Sequence, residues 1–331
     1  MTTISACIIA KNEEKNLLRC LKSITNLADE IILLDTGSND NTINIAKKFN
    51  ANIIEFPWNN NFSDARNKAL EHATKEWILI IDCDEALDIS QITDIKNTLS
   101  QASNLGFSLK LVNIINNSPI EGEYIFRIFK NYSGFYFKGK INEIILNSSL
   151  KSDFKDNIKK LDYKLYNYGF DLDKKDLNKR CYRNLSIYSE YKNSETNYIN
   201  YFNIGNEYFL LGNYSKAVTN YSKALYSCDD IYISSYITYV IIKTYYHAQK
   251  YNLGISVGEG LSLKYNKIRE IYYIISLCYL ELNDIEAYRE NFKKYLASRE
   301  NSHKYCFDLI FLENKRIIPE MFGFRINNLV I

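Results

Sequence analysis

The chain has 331 residues, 46% hydrophobic and 24% charged, which is enough to bury a sizeable core and to build two domains. Its 41 basic and 39 acidic side chains nearly cancel, to +2, and so give no basis for nucleic acid or an anionic membrane as the main partner. Seven cysteines stand singly with no C-x-x-C pair, and the three histidines, 72, 247 and 303, lie far apart; this argues against zinc, a redox couple or a hydrolase triad, and leaves acid-base work to carboxylates.

The first element is the run "SACIIA", residues 5 to 10. It begins without a basic segment and long apolar core ahead of it, so no secretory signal is read here. No run approaches a membrane span, and the expected compartment is the cytoplasm. Glu13 to Leu27 follows with Leu17, Leu18, Leu21 and Ile24 at helical spacing. The run "EIILLD" (30 to 35) leads into "DTGSNDNT", where Gly37 suits a tight turn and Ser38 or Asp40 suits a helix N-cap. The next run, "ANIIEF", covers 51 to 56. The fourth, "WILIID" (77 to 82), drives an apolar stretch into Asp82, Asp84, Glu85 and Asp88.

Strand runs alternating with amphipathic stretches predict an α/β domain with a mostly parallel sheet. In such a sheet, ligands bind beyond the carboxyl ends of the strands. Asp35 and the Asp82/Asp84 pair both fall at those ends, so two strands deliver acids to one edge. Crowded carboxylates repel by about 1 kcal/mol per close pair in water and by about 4 at the effective dielectric near a protein surface. Two readings of the cluster stand open: a turn that closes a buried strand, or oxygen ligands for a divalent cation. The chain lacks G-x-G-x-x-G after its first strand and G-x-x-x-x-G-K-[ST] anywhere, so dinucleotide and P-loop readings lose their support.

Beyond about residue 175 the pattern turns wholly helical. In "YFNIGNEYFLLGNYSKAVTNYSKAL" (201 to 225), Tyr201, Ile204, Gly205, Tyr208, Gly212, Tyr214, Ala217, Tyr221 and Ala224 occupy tetratricopeptide positions. A weaker copy, "YITYVIIKTYYHAQKYNLGISVGEGLSL", follows. A third copy places Ser276 at the position of Gly205. The expected division is 1–174 for the α/β domain, 175–300 for the helical repeats and 301–331 for a capping segment.

Taken together, "CIIAKNEEKNLLRCLKS", "DEIILLDTGSNDNT", "FPWNNNFSDARNKALEHA" and "WILIIDCDE" resemble the nucleotide-sugar-binding half of glycosyltransferase family 2, of GT-A fold. With "RIFKNYSGFYFKGKINEII", "LYNYGF" and the helical tail, the chain resembles the branch that holds the peptide S-glycosyltransferases of bacteriocin maturation. The resemblance implies that Asp82 and Asp84 grip Mg²⁺ or Mn²⁺ against the diphosphate of a UDP-sugar, and that Asp35 accepts a hydrogen bond from the base. It places Lys11, Glu13 and Arg66 around the nucleotide. An alternative for Arg66 is a helix-surface pair with Asp64 or another acid. Trp58 and Phe62 are expected to pack rather than bind sugar. Glu143 is the candidate catalytic base, with Asp84 beside it in the reaction; the alternative for Glu143 is an ion pair with Lys138 or Lys140. Where the family has histidines this chain has Asn142 and Asn167, neither of which can titrate as imidazole does.

The function these features imply is an inverting, metal-dependent transfer of a hexose from a UDP-sugar to a Cys, Ser or Thr side chain of a peptide or protein, recruited by the repeats. A glycan or lipid-linked acceptor, with the helical half serving a homodimer, is the competing enzyme reading. A weakened relative that binds nucleotide-sugar or protein as a scaffold is the third.

Overall fold

The computed structural model of the chain describes residues 2–115, 117–149, 157–169, 173–191, 197–264 and 269–298. The expected capping segment, 301–331, and Phe170 of "LYNYGF" lie outside these. The chain divides into two compact units, one up to residue 172 and one from Asp173 onward.

In the first unit the elements run β1 (Ile4–Ala10), α1 (Leu17–Ile24), β2 (Glu30–Asp35), α2 (Thr42–Lys47), β3 (Asn52–Glu55), α3 (Phe62–Glu71), β4 (Trp77–Ile80), β5 (Glu85–Leu87) and α4 (Ile92–Ser100). They continue with β6 (Gly106–Ile115), β7 (Ser118–Lys130), β8 (Phe135–Lys138), β9 (Ile144–Asn147) and β10 (Ile158–Asn167). Eight strands form one sheet in the order β3-β2-β1-β4-β7-β6-β10-β5, while β8 and β9 pair separately. β7 is antiparallel to both its neighbours and β5 is antiparallel to β10; the other pairings are parallel. This is the mostly parallel sheet that the alternating pattern predicts.

Period-two alternation sends the strands' side chains to two cores. Ile4, Ala6, Ile8 and Ala10 of β1 pack with Leu17, Leu21 and Ile24 of α1 on one face. Cys7, with Ile32 and Leu34 of β2 and Ile78 and Ile80 of β4, packs with Ala65 and Ala69 of α3 on the other. Both helices are amphipathic, and each lays its apolar stripe on the sheet.

The fourth strand stops at Ile80, two residues short of the expected Asp82, because the chain there leaves the middle of the sheet for its far edge. From β4 to β5 is four strand steps, about 19 Å in a flat sheet. The five residue steps from Ile80 to Glu85 reach at most about 18 Å. The sheet must therefore curl, and the span 81–84 crosses over the ends of its strands. This connection carries the acidic cluster.

The second unit stacks α5 (Lys174–Ser189), α6 (Tyr198–Leu210), α7 (Tyr214–Tyr226), α8 (Ile231–His247), α9 (Tyr251–Ser262), α10 (Glu270–Glu281) and α11 (Ile285–Ala297). A Cβ on Gly205 would lie 2.5 Å from the buried Tyr221 ring, so only glycine lets α6 and α7 approach this closely. Gly212 turns the hairpin at φ +72°. Tyr221 donates to Asn206 Oδ1 at 2.7 Å, and Ser276 is fully buried, as its place in the third repeat requires. Among the described residues no helix is long and apolar enough to cross a membrane.

Candidate active site

The site grows from the carboxyl ends of β1, β2, β4 and β10. Register places Ala10 beside Asp35 and Cys7 beside Ile80, and Asn167 at the end of β10 beside Glu85. Asp35, the span 81–84 and Glu85 therefore share one edge of the sheet.

Asp35 is buried, and its Oδ2 accepts the backbone N–H groups of Gly37 and Ser38, both at 3.0 Å. Gly37 makes this turn at φ +99°. Asp35 Oδ1 is buried with no hydrogen-bond partner among the described residues. An orphaned carboxylate oxygen is costly unless a ligand donor meets it.

Lys11 is exposed and Glu13 half-buried. Their loop is tied to the β2–α2 loop. Asn12 N–H donates to Ser38 Oγ at 2.9 Å and Glu13 N–H to Thr42 Oγ1 at 2.7 Å. Ser38 therefore joins two loops and does not cap α2. The N-cap position falls to Asn41, whose side chain makes no capping bond, while Asp40 accepts Thr42 N–H from one residue further out.

Arg66 is no helix-surface residue. It is buried in α3, where its Nη2 meets Asp82 Oδ1 at 2.8 Å and its Nε meets Glu143 Oε1 at 2.6 Å. Asp64 instead accepts from Asn59 and supports the start of α3, where Asn61 takes Asp64 N–H. The start of α3 is fastened to the loop after β8: Phe62 N–H reaches Lys140 O and Ser63 Oγ reaches Gly139 O. Asn67 holds both backbone groups of Phe137. These bonds bring Glu143 to Asp82 through one guanidinium. Trp58 and Phe62 lie edge to face, 4.8 Å apart.

A second guanidinium, missed at the sequence level, reaches Asp82 from β7. Arg127 is 2% exposed; its Nη2 meets Asp82 Oδ2 at 3.0 Å and Glu85 Oε1 at 2.5 Å. Glu85 Oε2 in turn accepts Asp82 N–H at 2.9 Å. One signal could have found it: an arginine inside the apolar run "YIFRIF" must have buried acids to meet.

Asp84 stands differently. Among the described residues it has no ion pair, and its carboxyl is pushed up to about 7 by burial, then by Asp82, Glu85 and Glu13. Tyr168 N–H holds its backbone oxygen, and a Cβ on Gly169 would sit 2.0 Å from its Oδ2. Gly169 is thus the second residue that sequence reading passed over.

Both asparagines that replace family histidines have backbone work. Asn142 sits at φ +53°, a left-handed conformation that asparagine tolerates. Asn167 Oδ1 accepts Gly169 N–H at 2.8 Å and shapes the turn beside Asp84.

No group of three or more His, Cys, Asp or Glu side chains among the described residues could enclose a metal. The donor set nevertheless fits a hard dication. Such ions are held by one or two carboxylates together with substrate phosphates, and the excess of negative charge around Asp84 is what one would neutralise.

A curled, mostly parallel sheet with acids on the strand-end connection, followed by helical repeats, defines a GT-A type domain joined to a tetratricopeptide-like unit. Residues 5–149 match the glycosyl transferase family 2 model and residues 199–230 the tetratricopeptide repeat model. Residues 5–149 are therefore read as a glycosyltransferase family 2 domain and residues 199–230 as a tetratricopeptide repeat. A TPR repeat-containing protein of Synechococcus elongatus is 35% identical over 150 residues, which are 45% of this chain and 37% of that protein. The SPbeta prophage-derived glycosyltransferase SunS of Bacillus subtilis is 29% identical over 212 residues, 57% of this chain and 44% of SunS. The match thus spans less than half the length of either relative. Among solved structures, S. aureus TarS 1-349 in complex with UDP-GlcNAc is similar at 13% identity and a TM-score of 0.42, over 89% of this chain and 92% of that one.

Proposed function

We propose that the chain is an inverting, metal-dependent glycosyltransferase that moves a hexose from a UDP-sugar to a Cys, Ser or Thr side chain of a peptide or protein. The observation that carries this reading is Asp84, a half-buried carboxyl crowded by acids and given no cationic partner among the described residues. The family 2 match and the orphaned Oδ1 of Asp35 support it.

Asp35 Oδ1 accepts the base N–H, and the loop carrying Lys11 and Glu13 flanks the nucleoside. Asp84, with Asp82 beside it, would hold Mg²⁺ or Mn²⁺, which when bound would supply Lewis-acid neutralisation of the departing diphosphate. Glu143 takes the proton from the acceptor thiol or hydroxyl as that atom attacks the anomeric carbon and the bond to the diphosphate oxygen breaks, releasing UDP. Arg66 fixes the Glu143 carboxylate by Oε1 and ties it to Asp82. The helical unit recruits the acceptor on a concave repeat surface.

The test is hydrolysis of UDP-sugars with Mn²⁺ by the parent chain and by Asp84→Ala. The expected loss is about a hundredfold or more, as for removal of a principal transition-state stabiliser. Equal background rates in the two would leave a binding scaffold. Incubation with donor and Cys, Ser and Thr peptides then reads the acceptor as a hexose added to intact mass.

A further inference from the structure

We propose that Arg127 is a positioning residue of the donor site, acting through Asp82 and Glu85 to hold the crossing span in the shape that presents Asp84. The proposal rests on the donor-site reading above and deepens it.

Arg127 lies in β7, the strand beside β4, and the register Ile78↔Phe129 and Leu79↔Ile128 brings it level with Ile80, where the crossing begins. One nitrogen, Nη2, grips both ends of the crossing: Asp82 Oδ2 at 3.0 Å and Glu85 Oε1 at 2.5 Å. Glu85 Oε2 closes the ring by accepting Asp82 N–H. Asp84 lies inside this clasp, and its backbone oxygen is held from the other side by Tyr168 N–H. Arg66 also touches Asp82, but its second partner is Glu143, outside the span. Of the two guanidiniums, Arg127 is the one that touches both the beginning of the span and its end, beside the direct bonds between Asp82 and Glu85.

Burial makes the clasp a weak source of stability. Arg127 and Glu85 are each 2% exposed. Apolar side chains of similar volume in place of a buried ion pair are often neutral or stabilising. Such pairs earn their place through geometry, and here the geometry concerns one carboxylate. Outer partners that orient a metal-binding residue typically change metal affinity about 10- to 100-fold when removed.

The test compares the full chain with Arg127→Lys, Arg127→Met and the double variant Arg127→Met/Glu85→Gln, which removes both buried charges at once. Mn²⁺ binding in the presence of UDP is followed by the electron paramagnetic resonance of free Mn²⁺, which needs no turnover; thermal unfolding is recorded beside it. The double variant is expected to unfold cooperatively near the parent's temperature but to bind Mn²⁺ with UDP about tenfold or more weakly. Arg127→Lys, which keeps the charge but not the fork, is expected to fall between. Parent-like affinity in the double variant overturns the proposal alone. Loss of folding in both the double variant and Arg127→Lys assigns the clasp to stability and overturns it too. If the parent chain itself binds no Mn²⁺ with UDP, the donor-site reading fails and takes the proposal with it.

Discussion

Asp82 and Asp84 are two residues apart and live in opposite electrostatic settings. Asp82 has a guanidinium on each oxygen; Asp84 has none among the described residues and sits among acids, so its carboxyl rises from 3.8 to about 7. Between those values the folded chain binds a proton that the unfolded chain does not. This group's contribution therefore falls as pH rises from about 4 to about 7 and stays low above that. A dication must displace that proton below pH 7 but not above it. Added Mn²⁺ should thus raise the unfolding temperature more at about pH 8 than at about pH 6. Equal shifts in a thermal melt would show that Asp84 does not titrate with the ion. Asp35, Asp82 and Asp84 were legible as residues because Asp35 and Asp82 close apolar runs and Asp84 follows two residues on. Arg127 and Gly169 were not, since their importance lies in contacts with residues 42 or more positions away, or with an oxygen 2.0 Å from an absent Cβ.

At the scale of elements, β1, β2 and β4 could be read directly because strands buried on both faces are continuous apolar runs, and the edge strand β3 by its short apolar pair Ile53-Ile54. The strands from β6 to β10 were quoted only as motifs. β7 is exposed over Ser118–Glu121, and β10 mixes lysines and tyrosines with apolar residues, so their periodicity is blurred by solvent on one side. The helical hairpin was legible for a different reason: its small residues are positional. Gly205→Ala puts a methyl group 2.5 Å from the Tyr221 ring. The expected cost is about 1–3 kcal/mol, read by denaturant unfolding of the full chain. A change below about 0.5 kcal/mol, the range of surface substitutions, would mean that α6 and α7 are not locked together at this point.

For the whole molecule, each unit closes a core of its own: strands and flanking helices in the first, and Phe202, Tyr221, Tyr236, Ile241 and Ile274 among the helices of the second. On the proposed reading, donor chemistry belongs to the first unit and acceptor recruitment to the second. Cutting the chain after about residue 175 should leave Mn²⁺-dependent UDP-sugar hydrolysis in place. Affinity for a peptide acceptor should fall about tenfold or more, or about 1.4 kcal/mol, measured as the peptide KM. Unchanged peptide affinity would remove the recruiting role of the repeats.

The sequence alone determined the first four strands and their alternation with helices, the repeat signature and the acids that follow the strand ends, because hydrophobic period and glycine placement are local properties of the chain. Only the tertiary structure decided which of those acids is neutralised and which is not. That depends on the curl that draws β5 to the far edge of the sheet, and on two arginines brought from α3 and β7 to the same carboxylate. A charge's surroundings are set by what folds against it, and no spacing along the chain encodes that distance.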